Sequence, residues 1–122
     1  MNREDGITVV IPAYGPVEIV ARSVYSAVSA YRGKNSKYKL EVLIYADDIE
    51  YQEKNDGKSQ YDYFTSAEFS KLIEYKELTE IKVIHNLEKY GEHIYQGGAR
   101  LEGLNNSKYK LVCLMDCDDV FA

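Results

Sequence analysis

The expected fold rests on the segment Leu111-Val-Cys-Leu-Met-Asp116-Cys-Asp118-Asp119 of this 122-residue chain. The segment opens with five consecutive apolar residues and continues into acidic ones. This pattern is typical of a strand buried on both faces of a parallel sheet. Because ligands of such sheets bind beyond the carboxyl ends of the strands, residues 116–119 mark the place where a binding site is expected.

Three carboxylates follow this strand, those of Asp116, Asp118 and Asp119. Carboxylates packed together repel one another, and a divalent cation removes that repulsion. Oxygen ligands suit Mg2+ or Mn2+, so a metal site is one interpretation of the motif. The other interpretation is that one or two of these aspartates cap a helix or close an Asx turn. The motif is short and common, so the rest of the chain has to decide between them.

The remaining sequence predicts strands and helices in alternation. Strands are expected over residues 7–11, 40–45, 80–84 and 111–115, and helices over 17–31, 66–78 and 99–105. The polar stretches at about 49–65 and 87–96 are expected to be long connections. The order β-α-β-α-β-α-β predicts one α/β domain with a mainly parallel sheet.

Composition narrows the class of protein. The chain is 45% hydrophobic and 29% charged, as in ordinary globular domains. Its net charge of -5 argues against a general nucleic-acid-binding protein, which would carry a basic patch. No apolar run is long enough to span a membrane and no signal peptide precedes the first strand, so we expect a cytoplasmic location. The two cysteines, Cys113 and Cys117, are expected to be reduced thiols.

A second acidic group strengthens the prediction of a site. Asp47-Asp48 follow the second predicted strand, as Asp116 to Asp119 follow the fourth. In a parallel sheet both groups lie on the carboxyl edge. The helix that begins after Gly97-Gly98 could direct backbone N–H groups at an anion on that edge.

Five segments occur in the order seen in family 2 glycosyltransferases, which have the GT-A fold and use nucleotide-activated sugars. They are Val10-Ile-Pro-Ala-Tyr14, Glu41-Val-Leu-Ile-Tyr-Ala-Asp47-Asp48, Lys82-Val-Ile-His-Asn86, Gly97-Gly-Ala-Arg100-x-x-Gly103-Leu104 and Leu114-Met-Asp116-Cys-Asp118-Asp119. The resemblance covers essentially residues 1–122. It implies the nucleotide-sugar-binding half of a three-layer, Rossmann-like GT-A domain with strand order 3-2-1-4.

The resemblance also implies roles for individual residues in holding the nucleotide. Pro12, Ala13 and Tyr14 resemble the loop that lies along the nucleobase and ribose. Asp47 matches the aspartate that accepts a hydrogen bond from the uracil ring N–H, which implies a UDP-sugar. Arg100 matches a basic residue near the base and the phosphates.

The Asp-x-Asp motif supplies the rest of the implied site. Asp116 matches the aspartate that lies toward the ribose, and Asp118 is the candidate ligand for Mn2+ or Mg2+. The cation would stabilise the leaving nucleoside diphosphate during inverting transfer. The acceptor, a saccharide or a lipid-linked molecule, would bind to parts of the family's domain that lie beyond Ala122. The family's catalytic base lies in those parts as well. These 122 residues alone are therefore expected to bind the donor without transferring the sugar.

Two further expectations accompany this one. The apolar strand at 111–115 is expected to allow self-association if its edge stays open. The alternative function is a non-catalytic module that binds a nucleotide sugar or a partner protein.

A dinucleotide-binding dehydrogenase is disfavoured because Pro12-Ala-Tyr-Gly-Pro follows the first strand where Gly-x-Gly-x-x-Gly is required. The turn Ala46-Asp47-Asp48-Ile49 also departs from the family, since it lacks the usual glycine.

Overall fold

The computed structural model describes residues 3–13, 17–33, 39–46, 59–72, 79–92 and 94–116. These residues form an α/β fold, as the sequence predicts. In chain order the elements are β1 (Glu4–Ala13), α1 (Val17–Gly33), β2 (Lys39–Ala46), α2 (Gln60–Phe64), α3 (Ala67–Leu72), β3 (Thr79–His85), α4 (Asn86–Tyr90), α5 (Tyr95–Asn106) and β4 (Tyr109–Leu114).

The four described strands form one parallel sheet in the order β3-β2-β1-β4. This confirms the predicted strand order and makes the sheet compatible with a Rossmann-like fold. Ala13 of β1 pairs with Ala46 of β2, which in turn pairs with His85 of β3. Three strands therefore end at the same level, and β4 ends three residues earlier, where Leu114 pairs with Val10.

Strand β1 runs through Pro12 to Ala13, although the sequence predicts that the proline ends it at residue 11. The reason is the direction in which the backbone nitrogen of Pro12, which carries no hydrogen, faces. Val10 turns its carbonyl toward β4, where it accepts a hydrogen bond from the Met115 N–H at 2.9 Å. Pro12, two residues later, faces the same side, and the register of β4 against β1 stops at Val10. Its ring therefore costs the sheet no ladder hydrogen bond.

The expectation that the 111–115 strand is buried on both faces is wrong. In the structure β4 is an edge strand, and its side chains are half-buried or exposed except for Tyr109. Leu111 is 65% exposed and Leu114 is 43% exposed. The continuous apolar pattern does describe β1 and β2, which have neighbours on both sides and are buried along most of their length.

Two hydrophobic cores, one on each face of the sheet, give the fold three layers. On the first face α1 packs on β1 and β2, and Phe64 of α2 and Phe69 of α3 complete the core. On the second face α4 and α5 cover Val10, Leu43 and Tyr45. A Cβ on Gly103 would come within 2.4 Å of the Val10 Cγ1, so glycine there is what lets α5 approach β1 closely.

The helices after β2 differ from the prediction in their bounds. The polar stretch 49–65 ends in α2, whose first turn is capped by the Ser59 hydroxyl accepting from the Asp62 N–H at 2.9 Å. Ser66 caps α3 by accepting from the Phe69 N–H at 3.2 Å. The second polar stretch, 87–96, contains most of α4, and α5 begins at Tyr95 rather than at residue 99. None of the helices described is both long and apolar enough to cross a membrane.

Candidate functional site

The carboxyl edge of the sheet brings together four of the predicted site residues. Pro12 and Ala13 form the end of β1, and both are buried. Asp116 follows β4 by two residues, and Arg100 reaches the same edge from α5. Tyr14, Asp47 and the metal-ligand candidate Asp118, three more of the predicted set, lie outside the described residues.

Arg100 and Asp116 form an ion pair in which the guanidinium Nη2 donates to the carboxylate Oδ1. The two side chains are 37% and 47% exposed, so water screens their attraction. An ion pair at this exposure contributes about 0–1 kcal/mol to stability. Its main effect is therefore on orientation, because it holds one positive and one negative group together where the strands end.

The geometry of α5 explains why Arg100 reaches Asp116 across 16 residues of sequence. The helix packs on β1 through Gly103, and Ala99 is buried against Val10 on the same face. Arg100 follows Ala99 and lies at the border of that buried surface, toward β4. The first turn of α5 begins after Ile94, whose side chain has no atom that could cap the helix. Gly97 in that turn is exposed, with open space where a Cβ would lie.

His85, at the end of β3, makes local contacts. Its Nδ1 accepts a hydrogen bond from the Glu88 N–H at 3.3 Å, and the Glu88 carboxylate lies 3.6 Å from the same nitrogen. The Tyr61 ring packs edge-on against the imidazole with 5.3 Å between ring centroids. These contacts make His85 a local hydrogen-bonding residue at the end of β3.

Among the predicted site residues, those that the structure describes supply one carboxylate for a cation at this edge, that of Asp116. Asp116 faces the Arg100 guanidinium, so its Oδ1 already has a positively charged partner. Within the described ranges no group of three or more His, Cys, Asp or Glu side chains could hold a metal ion.

The opposite, amino edge of the sheet carries a buried polar network that the sequence analysis missed. Glu41 of β2 is fully buried, and its Oε1 accepts from the Thr8 hydroxyl and from the Lys108 N–H, both at 3.0 Å. Its Oε2 lies 3.3 Å from the Lys82 Nζ, an ion-pair distance without hydrogen-bond geometry. Glu80 pairs with Lys82 and with Lys108, and its hydrogen bond to Lys108 holds the pKa of Glu80 below its usual value.

On the second face of the sheet, Tyr45 of β2 lies near Tyr90, the last residue of α4. Tyr45 of β2 is buried, and burial raises its pKa above the ordinary value, with the nearby Tyr90 adding to the effect. The Tyr90 hydroxyl donates to the Glu102 carboxylate at 3.5 Å, and Asn106 donates to the same carboxylate at 3.2 Å. These groups tie the two helices to the second face of the sheet.

Comparison of the chain with protein-family models, with curated proteins and with solved structures finds no match. The parallel sheet and its strand order are features of the structure itself.

Proposed function

We propose that the chain is the nucleotide-sugar-binding part of a glycosyltransferase similar to family 2, with a GT-A fold. The observation that carries the proposal is the Arg100–Asp116 pair at the carboxyl edge of a sheet with order 3-2-1-4. The resemblance assigns both residues to the nucleotide site, although they come from two separate sequence segments. Their contact in the fold agrees with that assignment and was no part of the sequence argument.

The ligand of this site is a UDP-sugar. Arg100 donates hydrogen bonds to the diphosphate, and Asp116 accepts from the ribose hydroxyls. Asp47 accepts from the uracil ring N–H, while Pro12 and Ala13 fix the end of β1 from which the loop with Tyr14 passes the nucleobase. The corresponding nitrogen of cytosine is itself an acceptor, so a carboxylate at Asp47 discriminates against it.

A divalent cation, Mn2+ or Mg2+, supplies Lewis-acid stabilisation of the diphosphate when it is bound. Asp118 is the residue proposed to hold it. Without the donor, Asp116 holds the Arg100 guanidinium in place. When the donor binds, Arg100 turns to the diphosphate and the Asp116 carboxylate accepts from the ribose. The chain's own residues therefore bind and orient the donor, and they hold the charge of the leaving group.

Calorimetry of UDP binding with and without Mn2+ tests the proposal. We expect Mn2+ to strengthen binding by tenfold or more, on the order of 1.4 kcal/mol, and Asp118→Asn to remove that gain. Arg100→Gln should weaken UDP by about 1.5–3 kcal/mol, the usual worth of a hydrogen bond to a charged group. Glu4→Gln, an exposed carboxylate at the amino end of β1, is the matched control and should bind like the wild type.

The outcomes separate the parts of the proposal. Equal UDP affinity with metal, without metal and in Asp118→Asn would remove the cation. Equal affinity for UDP, CDP and GDP, unchanged by Asp47→Ala, would remove the uracil assignment. If none of these nucleotides binds in any condition, the nucleotide-sugar function is wrong.

A further inference from the structure

The two charged side chains at the carboxyl edge of the sheet are bound to each other. The Arg100 Nη2 donates to the Asp116 Oδ1, so each group that the proposed function assigns to the donor has a partner within the chain. Both side chains are partly exposed, so a ligand can reach either of them. A ligand that binds one group therefore competes with the other group.

Each group of the pair suits one half of a nucleoside diphosphate. A guanidinium binds phosphate oxygens through a fork of N–H donors, and a carboxylate can accept from two vicinal hydroxyls through its two oxygens. The pair engages Nη2 of Arg100 and Oδ1 of Asp116, one member of each set. A ligand that takes a full set thus displaces the other side chain.

We propose, resting on the function proposed above, that the pair is a latch that makes the site select nucleoside diphosphates over nucleosides and over inorganic phosphate. A nucleoside that takes Asp116 leaves Arg100 without an anionic partner. A phosphate ion that takes Arg100 leaves Asp116 without its cation and next to a second negative charge. A nucleoside diphosphate supplies a partner to both groups at once, so it opens the latch without leaving a charge unpaired.

The strength of the ion pair sets the size of this selection. An ion pair at this exposure is worth up to about fivefold in an equilibrium constant. A hydrogen bond from the guanidinium to a phosphate oxygen is worth about tenfold or more. The latch therefore weakens nucleoside binding by up to about fivefold, whereas the diphosphate opens it with a net gain. Because binding couplings are reciprocal, the phosphate half of the ligand strengthens binding of the ribose half by the same factor.

Uridine and UDP binding to the wild type and to Arg100→Met test the latch in NMR titrations without metal. Methionine is a long side chain without an N–H donor, so it frees the Asp116 carboxylate and removes the phosphate contact. We expect Arg100→Met to bind uridine about two- to fivefold more tightly than the wild type does. It should bind UDP about tenfold or more weakly. A residue that only contacts the nucleotide, or a variant that fails to fold, would not tighten uridine binding.

Two controls assign the gain to the released carboxylate. Dideoxyuridine lacks the two vicinal ribose hydroxyls, so its affinity should be the same for the wild type and Arg100→Met within about twofold. Lys110→Met removes another exposed cation, one that pairs with Asp5 at 2.8 Å. This variant matches the loss of one positive charge, and it should change the affinity for uridine and for UDP by no more than about twofold.

Salt gives a second measurement, which needs no substitution. Because ions screen an exposed pair, a rise in salt concentration should strengthen uridine binding to the wild type and weaken UDP binding. In Arg100→Met the affinity for uridine should no longer rise with salt, since the pair that salt weakens is absent.

The outcomes separate the latch from the proposed function. If UDP binds but Arg100→Met leaves the affinity for uridine unchanged or lowers it, the latch is wrong and the nucleotide site stands. An equal rise of uridine affinity with salt in the two proteins, or an equal gain for dideoxyuridine in Arg100→Met, would also overturn the latch. If UDP itself does not bind to the wild type, the proposed function fails and the latch fails with it.

Discussion

Replacing Lys82 by methionine leaves the Glu41 carboxylate buried without its cation. Glu41 is 0% exposed, and its Oε2 lies 3.3 Å from the Lys82 Nζ. Removing one partner of a fully buried pair costs about 3–5 kcal/mol. The Lys82 side chain is 49% exposed, so water reaches the ammonium group and the expected cost falls to about 1–3 kcal/mol.

A second substitution separates the charge from the packing. Glu41→Gln keeps an oxygen in the place of Oε1, so it can still accept from Thr8 and from the Lys108 N–H. It removes the charge, and we expect a loss of about 1 kcal/mol. In this background Lys82→Met leaves no buried charge unpaired. The variant then loses only the contact with Glu80 at 3.4 Å, worth under about 1 kcal/mol because both side chains are largely exposed.

Urea unfolding of the wild type, the two single variants and the double variant gives the coupling free energy. We expect Lys82→Met to destabilise the wild type by at least about 1 kcal/mol more than it destabilises Glu41→Gln. Unchanged m-values would show that all four unfold from the same compact state. If the cost of Lys82→Met is the same in both backgrounds within about 0.5 kcal/mol, the ion pair does not stabilise the sheet and the reasoning is wrong.

Two further perturbations have expected signs. The free energy of unfolding should fall as pH rises above about 10, by up to about 1.4 kcal/mol per pH unit. The reason is that burial raises the pKa of Tyr45, so the unfolded chain binds fewer protons than the folded one in this range. Urea unfolding should show a smaller fall in Tyr45→Phe and an unchanged fall in the exposed control Tyr25→Phe. Gly103→Ala should destabilise by about 1–2 kcal/mol in thermal unfolding, since the new Cβ meets Val10, whereas Gly97→Ala, with open space, should stabilise by up to about 1 kcal/mol. Equal slopes in the two tyrosine variants, or the same sign in the two glycine variants, would contradict these expectations.

The sheet was predictable because its determinants are local and strong. The β-branched run at residues 7–11 and the apolar run at 40–45 each specify a strand, and β1 and β2 are the two central strands. The ends of the strands were less predictable where they depend on pairing with a neighbouring strand and not on the strand propensity of the local residues. Pro12 stays within β1 because its missing N–H falls beyond the end of the β4 ladder, and that requires the register of a strand a hundred residues away.

The buried charge was not predictable for a similar reason. Glu41 stands in a run of strand residues, and the alternation of that run gives no sign that a carboxylate at this point is buried. Its partners come from β1, β3 and the residue before β4, so they meet only after all four strands have paired. The candidate site was likewise predictable only in part. The sequence indicated both Arg100 and Asp116 as site residues, but their contact depends on how α5 packs across β1.

The two edges of the sheet differ in what a ligand would have to displace. At the amino edge the buried Glu41 carboxylate accepts from Thr8 and forms an ion pair with Lys82, and a ligand that broke these contacts would leave a buried carboxylate unpaired. At the carboxyl edge the Arg100–Asp116 pair is roughly half exposed, and opening it costs at most about 1 kcal/mol. A hydrogen bond from Arg100 to an anionic oxygen returns about 1.5–3 kcal/mol. A diphosphate, as proposed, would therefore gain free energy by taking the guanidinium from Asp116, which would free that carboxylate for a hydroxyl donor. The same exchange at the amino edge would lose free energy.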